Sequence, residues 1–398
     1  MDNRVVITGL GPVTVAGTGK DAFWAALLEK QLVVEPIPGK MREAYEYKTR
    51  YFVPAPALDW AWVTPSLRLQ CSPVTLMMMQ ASMLAVEDAG LDTLPADAAV
   101  IAGLGMGDLA QVYAGYDAHV NNTRLKRMSI PMIMPNAAAA QVSIHFGLHG
   151  ECFTVNAACA SSTVAIGEAY RRIASGQATA ALAGGSESLG DPYGLSLRGF
   201  DMLGALTQSA DGAPMPFDEN RSGFLMNMGA ACTLVLEEYN RAVDRGARIY
   251  AEIVGYQSSC DGHHIVQMAP DGQVIQGMLH KLCGGQTVDY VNAHGTGTQP
   301  NDEIEAKILC ELFGSQAAQP LVNSTKGILG HSIGASGALE AAATALTLST
   351  GVVHPNLLKN PMPGLCLPTE PVHANPQTAL SASYGFGGHN AALLFRKV

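Results

Sequence analysis

An α/β fold with crossover connections is the class this 398-residue sequence predicts, and three features carry it. Short β-branched or alanine-rich runs ending in glycine alternate with longer helical stretches, the pattern that buries parallel strands beneath helices. At 48% hydrophobic and 15% charged, the chain holds enough apolar surface for one large core or two fused ones. Strands are expected at Val5 to Thr8, Ala98 to Ala102, Thr179 to Ala183, Ala231 to Glu237, Tyr250 to Val254, Val288 to Asn292, Leu321 to Ser324, Ala379 to Ser383 and Ala391 to Phe395. A charged helical segment, Glu237 to Arg248, splits that series, and each part begins with a strand. Each part also holds one small-residue helix behind a reactive residue, Cys159 to Ser175 and Ser332 to Ser349. The third feature is therefore a weak internal duplication, with halves at 1–248 and 249–398.

Cys159 sits in Asn156-Ala157-Ala158-Cys159-Ala160-Ser161-Ser162, where a predicted strand, a tight turn and a small-residue helix meet. The free amides and partial positive charge of a helix N-terminus favour thiolate over thiol. Val164, Ala165, Ile166, Ala169, Tyr170 and Ile173 make the helix largely apolar, and Arg171, Arg172 and Gly176 mark its end. It is expected to be buried, with only its first turn open to a cavity. Taken alone, the cysteine reads equally well as a small core residue. Two histidines change that balance. His294 lies in Asn292-Ala293-His294-Gly295-Thr296-Gly297-Thr298 and His331 in Lys326-Gly327-Ile328-Leu329-Gly330-His331, each framed by glycines that let backbone and substrate approach. One thiol and two imidazoles point to covalent catalysis with a carbon nucleophile.

Several function classes are excluded. No uncharged apolar run approaches the roughly 18 residues a membrane span needs, and the first residues lack a basic-then-apolar signal, so a cytoplasmic location is expected. The eight cysteines never form Cys-x-x-Cys, and reduced thiols are expected. A net charge of −10 argues against nucleic-acid binding, which needs clustered cations. Gly9-Leu10-Gly11 lacks the third glycine of a dinucleotide fingerprint, and Gly103-Leu104-Gly105-Met106-Gly107 lacks a phosphate-binding lysine. His263 and His264 beside Asp261 project differently and have no ligand partner at suitable spacing, so no metal is expected.

The reactive segments together resemble the β-ketoacyl synthase family, the condensing enzymes of the thiolase fold, over nearly the whole chain. In order, the motifs are Ala158-Cys159-Ala160-Ser161, Gly184-Gly185-Ser186-Glu187, Pro216-Phe217-Asp218-Glu219-Asn220-Arg221-Ser222-Gly223-Phe224, His294-Gly295-Thr296-Gly297-Thr298, Lys326 with His331, and Gly385-Phe386-Gly387-Gly388-His389-Asn390. The resemblance implies a thiolase-like α/β fold, with two similar α/β halves packed as a five-layer αβαβα sandwich. The chain looks most like the elongating, acyl-carrier-protein-dependent branch, which pairs cysteine with two histidines; the branch that starts chains from coenzyme A thioesters has asparagine in place of His331.

By that resemblance, Cys159 takes the acyl group from a carrier thioester, with the amides of Cys159 and Phe386 as oxyanion hole. His294 and His331 stabilise the enolate left when the malonyl thioester loses carbon dioxide. Lys326 supports the histidines, and Glu340 is a carboxylate inside the site. Thr296 and Thr298 match the pair that binds the pantetheine amides. Phe200 and Phe386 match aromatic gates, and Met106, Met132 and Met134 match the acyl pocket, Met106 from across a dimer interface. Arg124, Lys126 and Arg127, with Arg68, are the candidate docking patch for an acidic carrier protein. The resemblance implies no cofactor beyond the carrier's phosphopantetheine. It implies a homodimer, or a heterodimer with a related subunit.

Two positions depart from the family. Asn227-Met228-Gly229 has a thioether where a carboxylate is usual, and His389 replaces a usual threonine; both lean toward a specialised polyketide or polyene pathway rather than fatty acid elongation. Two competing functions are weighed. A chain-length-factor-like partner subunit usually lacks the nucleophile that Cys159 supplies. A coenzyme A-dependent thiolase uses a further cysteine near the C-terminus, and Gly385 to Asn390 contains none.

Overall fold

The computed structural model describes residues 3–314 and 319–398. One sheet contains β1 (Val5–Val13), β2 (Ala99–Gly103), β3 (Cys152–Val155), β4 (Ala180–Ser188), β5 (Gly229–Glu238), β6 (Ala251–Cys260), β7 (Tyr290–Asn292), β8 (Leu321–Asn323), β9 (Thr378–Gly385) and β10 (His389–Arg396). Their spatial order is β8-β7-β9-β10-β6-β1-β5-β4-β2-β3. β1 and β6 touch only along Val5 to Ile7 against Ala251 to Ile253, so the sheet is hinged at its middle.

The two sides of that hinge are the same drawing. Within β1–β5 the spatial order is first, fifth, fourth, second, third, and within β6–β10 it is again first, fifth, fourth, second, third. The first pairs antiparallel with the fifth and the fifth with the fourth, while the fourth-to-second and second-to-third pairs are parallel in both. The helix after the third strand is α2 (Ser161–Ala174) in one half and α5 (Ser336–Thr350) in the other.

These two helices form the inner layer, and each packs on strands of both halves. Alternation along the strands explains the layering, because successive side chains face opposite ways. Ala99, Ile101, Ala181 and Ala183 face the inner helices, joined by Ala379, Leu393 and Phe395 from the second half. Val100, Ala102 and Leu182 face outward onto α1 (Pro73–Asp88), and Leu380, Ala392 and Leu394 face outward onto α3 (Gln273–Cys283) and α4 (Gln299–Phe313). Helix, sheet, helix, sheet, helix is the five-layer sandwich of the thiolase fold. Small residues permit the inner contacts. A Cβ on Gly337 of α5 would lie 2.0 Å from Thr163 Oγ1 of α2, so the two helices meet where one has no side chain.

The expected strands are present, most extended by several residues, although the Val288 strand begins only at Tyr290. The segment expected to be helical from Glu237 is different: Glu237 and Glu238 close β5, and the helix covers Tyr239–Asp244 only. Glu237 is fully buried and bonds Arg241, Arg245 and Thr8, which a helical start could not provide. Among the described residues no helix is long and apolar enough to cross a membrane.

Candidate active site

Cys159 lies in a 3-10 turn, Ala158–Ala160, one step before α2 rather than within its first α-turn. Ala158 has φ 49°, a left-handed conformation that alanine adopts at a cost of about 1–3 kcal/mol. Ser161 Oγ accepts from the Ala157 amide at 2.9 Å and donates to Ala158 O at 2.7 Å, pinning the strained turn. Gly385 closes it from the other side, since a Cβ there would lie 2.6 Å from Ala157 O. That contact delivers the next amide, Phe386 N–H, to the Cys159 sulfur.

The second half builds the same turn. Ile333 has φ 49°, the 3-10 turn is Ile333–Ala335, and Ser336 Oγ accepts from the Ser332 amide at 3.1 Å. This turn carries His331, whose Nε2 lies 3.1 Å from Cys159 Sγ and whose Nδ1 lies 2.9 Å from Ser336 Oγ. The imidazole of His294 stands nearly perpendicular to it, ring centroids 5.7 Å apart.

Lys326 is buried with its ammonium fully engaged. It bonds His294 O at 2.7 Å and His294 Nδ1 at 3.2 Å, and makes a close ion pair with Glu340, which Ser383 also bonds at 3.1 Å. An ammonium only donates, so His294 Nδ1 accepts and Nε2 carries the hydrogen. A serine hydroxyl both donates and accepts, so Ser336 satisfies either tautomer of His331. One imidazole is fixed as a donor and the other is switchable.

Burial pushes the Cys159 thiol up to about 12, against the Lys326 charge and the Phe386 amide. Burial likewise holds His294 and His331 well below their ordinary value, with Lys326 adding to it. The resting site is therefore a neutral thiol beside neutral imidazole. The standing thiolate expected from the helix N-terminus gives way, because the sulfur is buried in an apolar cluster with Ile37, Leu189, Phe224 and Ile333, where desolvation penalises a charge. Cys71, Cys159, Cys232 and Cys283 all have raised folded pKa values, so the unfolded chain ionises first, from about pH 9. Stability contributed below pH 9 is lost as pH rises through the folded values, each pKa unit being worth about 1.4 kcal/mol. Chemical-denaturation midpoints should be level just below pH 9 and fall steeply above it; a flat alkaline limb would contradict the burial described.

The remaining sequence-selected residues separate. Thr296 and Thr298 meet, their hydroxyls 2.9 Å apart. Phe200 lies 6.2 Å from Phe386 and 5.5 Å from Phe224, which in turn lies 5.2 Å from His331, giving a file of rings from loop to imidazole. Met106, Met132 and Met134 line one small cavity of 60 Å³; Met132 is buried, while Met106 and Met134 are 41% and 49% exposed. Arg68 and Lys126 line a second cavity of 620 Å³, Arg68 lying over the Trp60 ring, and Arg124 and Arg127 are exposed nearby in sequence. His389 is exposed at the start of β10, paired with Gly385. Met228 is buried in the apolar cluster around Cys159. The hydrogen bonding there passes to Asn227, whose amide bonds His331 O and whose side chain bonds Leu329 O and the Gly229 amide.

Several supporting residues were given no role from the sequence, although Arg221 and Glu187 stand within its family motifs. Asp302 and Glu305 sit in the first turns of α4 and accept the amides of His294, Gly295, Thr296 and Gly297, holding the histidine loop from behind. Acidic residues at a helix start directly after a glycine-rich motif were the available signal. Arg221 is buried against Asp302 at 3.4 Å. Glu187 is fully buried and accepts four backbone amides; burial pushes its carboxyl up to about 7 against their pull. Tyr384 stands 5.5 Å from His294, yet its hydroxyl is buried without a partner among the described residues. Tyr384→Phe should raise stability by about 1 kcal/mol in denaturant unfolding, since an unmatched buried hydroxyl is a net cost.

The N-terminal domain model of beta-ketoacyl synthases matches residues 2–242 and the C-terminal domain model residues 250–359. The chain is 37% identical to 3-oxoacyl-[acyl-carrier-protein] synthase 2 of Rhizobium meliloti (strain 1021), covering 99% of each. It is 34% identical to nodulation protein E of Rhizobium sp. (strain N33), covering 100% of each. Among solved structures, a beta-ketoacyl synthase from Burkholderia phymatum STM815 superposes with TM-score 0.88 at 32% identity. The ishigamide ketosynthase/chain length factor does so at 0.89 with 28% identity, both covering 100% of each chain. A type II PKS ketosynthase in complex with its acyl-carrier protein gives TM-score 0.87 at 27% identity, again covering 100% of each chain. From the repeated strand order to the buried cysteine and its two imidazoles, this chain belongs to the beta-ketoacyl synthase family.

Proposed function

We propose that the protein is a 3-oxoacyl-[acyl-carrier-protein] synthase of fatty acid or polyketide biosynthesis, joining an acyl group held on Cys159 to malonyl-acyl carrier protein with loss of carbon dioxide. The observation that carries this is the meeting of Cys159 Sγ with His331 Nε2 at 3.1 Å, beside a His294 fixed as a donor by Lys326. In the first half-reaction the thiol attacks the carrier thioester. Its proton passes to His331 and on to the departing pantetheine thiol, and the acyl-enzyme forms. The amides of Cys159 and Phe386 receive the oxyanion, each such donor being worth about 3 kcal/mol. In the second, the malonyl thioester oxygen accepts from His294 Nε2–H and His331 Nε2–H as carbon dioxide leaves. The resulting carbanion equivalent attacks the acyl-Cys159 carbonyl and expels the Cys159 thiolate, which takes up one proton to restore the resting thiol, giving the 3-oxoacyl thioester. No step calls on a cofactor beyond the carrier's phosphopantetheine.

The same proposal assigns Thr296 and Thr298 to the pantetheine amides, the Phe200–Phe386 pair to the entrance and the three methionines to the acyl chain. Arg68 and Lys126, sharing one cavity, with Arg124 and Arg127 receive the acidic carrier. Met106 and Met134, with Val112, Tyr116, Ile130, Ile133 and Ile144, leave a large apolar surface exposed, which supports a dimer closing over the pocket. Incubation with acyl-carrier proteins bearing different acyl chains, followed by intact-mass measurement, should place one acyl mass on Cys159. Absence of that mass with every donor would refute the function proposed.

A further inference from the structure

Glu187 is the buried acid that the chemistry above leaves without a task. It ends the run of fully buried residues in β4, and both its oxygens are occupied. Oε1 accepts from Met106 N at 3.0 Å and Gly107 N at 2.7 Å; Oε2 accepts from Gly105 N at 2.8 Å and Gly334 N at 3.0 Å. Three of those amides belong to the loop that carries Met106. The fourth belongs to the strained turn just after His331. The fit leaves no slack: a Cβ on Gly105 would lie 2.7 Å from Glu187 Oε2, and one on Gly334 would lie 2.7 Å from it and 2.3 Å from Gly105 N.

The same loop is tied to the nucleophile. Asn156 Nδ2 bonds Gly105 O at 2.8 Å and Ser161 Oγ approaches Leu104 O at 3.3 Å, so the methionine loop, the cysteine turn and the histidine turn share one knot. Ile333, a β-branched residue at φ 49°, borders that knot and touches the apolar cluster that contains Cys159. A β-branched side chain does not hold that conformation unaided.

Resting on the acyl-transfer function above, we propose that Glu187 is a positioning residue coupling acyl-chain fit to imidazole placement. Its carboxylate holds the Met106 loop and the His331 turn in one arrangement, so an acyl chain that displaces the loop also displaces the imidazole from the sulfur. Substrate choice would then be expressed in the rate of loading as well as in binding.

Two readouts test this: the loading of short, medium and long acyl-carrier proteins on Cys159 by intact mass, and the rate of Cys159 alkylation by iodoacetamide. Glu187→Gln keeps the shape but faces an NH2 toward amide donors. It should slow loading of the preferred chain by about ten-fold, flatten the chain-length preference and change the alkylation rate together. Gly107→Ala, with open space for the methyl but a φ of 76°, perturbs the loop while leaving Glu187 intact, and serves if the first variant fails to fold. It should also move both readouts. A role confined to stability would lower the unfolding midpoint and slow all chains by one common factor with alkylation unchanged, and that result overturns the proposal. So does a Gly107→Ala protein whose chain preference shifts while its thiol reactivity stays at the wild-type value. Failure of the wild-type protein to load any acyl group would instead sink the function itself.

Discussion

Cys159→Gln should abolish condensation by at least about 10⁴-fold while malonyl-carrier decarboxylation persists, measured as carbon dioxide release in the absence of acyl donor. The reason is spatial. The glutamine carbonyl would take the place of the acyl-enzyme carbonyl, within reach of the Phe386 amide that now points at the sulfur. His294 and His331 keep their partners, because Lys326 and Ser336, not Cys159, hold their Nδ1 atoms. The decarboxylating pair therefore survives loss of the nucleophile. Loss of both activities in a folded protein would mean that the sulfur itself orients the imidazoles, and the division of labour would be wrong.

Lys326→Met should be the most damaging single change outside the nucleophile. It strands Glu340, which is 1% exposed and, among the described residues, has only the Ser383 hydroxyl left as a side-chain partner. Breaking a buried ion pair by removing one member costs about 3–5 kcal/mol, which denaturant unfolding will read directly. It also frees His294 Nδ1 to carry the hydrogen, turning Nε2 into an acceptor where a donor is needed. Decarboxylation should fall about 100-fold or more. The double variant Lys326→Met/Glu340→Leu separates the two effects: stability should largely return, since apolar replacement of a buried pair is often neutral, while decarboxylation should stay low. Recovery of decarboxylation in the double variant would show that the lysine acts only through the carboxylate.

What was legible in the sequence was whatever local pattern encodes. His294, His331 and Phe386 stand in glycine-framed motifs because backbone must approach substrate there, and glycine is visible one residue at a time; Cys159 is legible instead from the strand, tight turn and small-residue helix that meet at it. Alternating strands and small-residue helices were visible for the same reason, and they carried the α/β class, while the five-layer arrangement followed from the family resemblance. Glu187 and Ser161 stand within family motifs and Ser336 within a small-residue helix, but none of the three was given a role from sequence. Each acts on backbone groups, and which backbone a carboxylate meets is decided by segments far apart, such as Gly105 and Gly334 at one oxygen. The charge state of Cys159 was misjudged because a helix N-terminus is a local feature while the apolar packing around the sulfur is a tertiary one. His389 and Met228 looked equally anomalous in sequence. The structure distinguishes them, one exposed on β10 and the other packed in the cluster around the nucleophile.

The matching turns at Cys159 and Gly334 have a consequence for how this catalyst can be divided. The two positions are counterparts, one step after Ala158 and Ile333, yet only the first has room for a side chain. The first lobe thus supplies the sulfur and the second supplies both rings, with one central helix from each. Neither lobe is a chemical unit in isolation. Chemistry exists only at their seam, so a chain cut at the surface helix between them should be inert as separate pieces and recover activity only on reassembly.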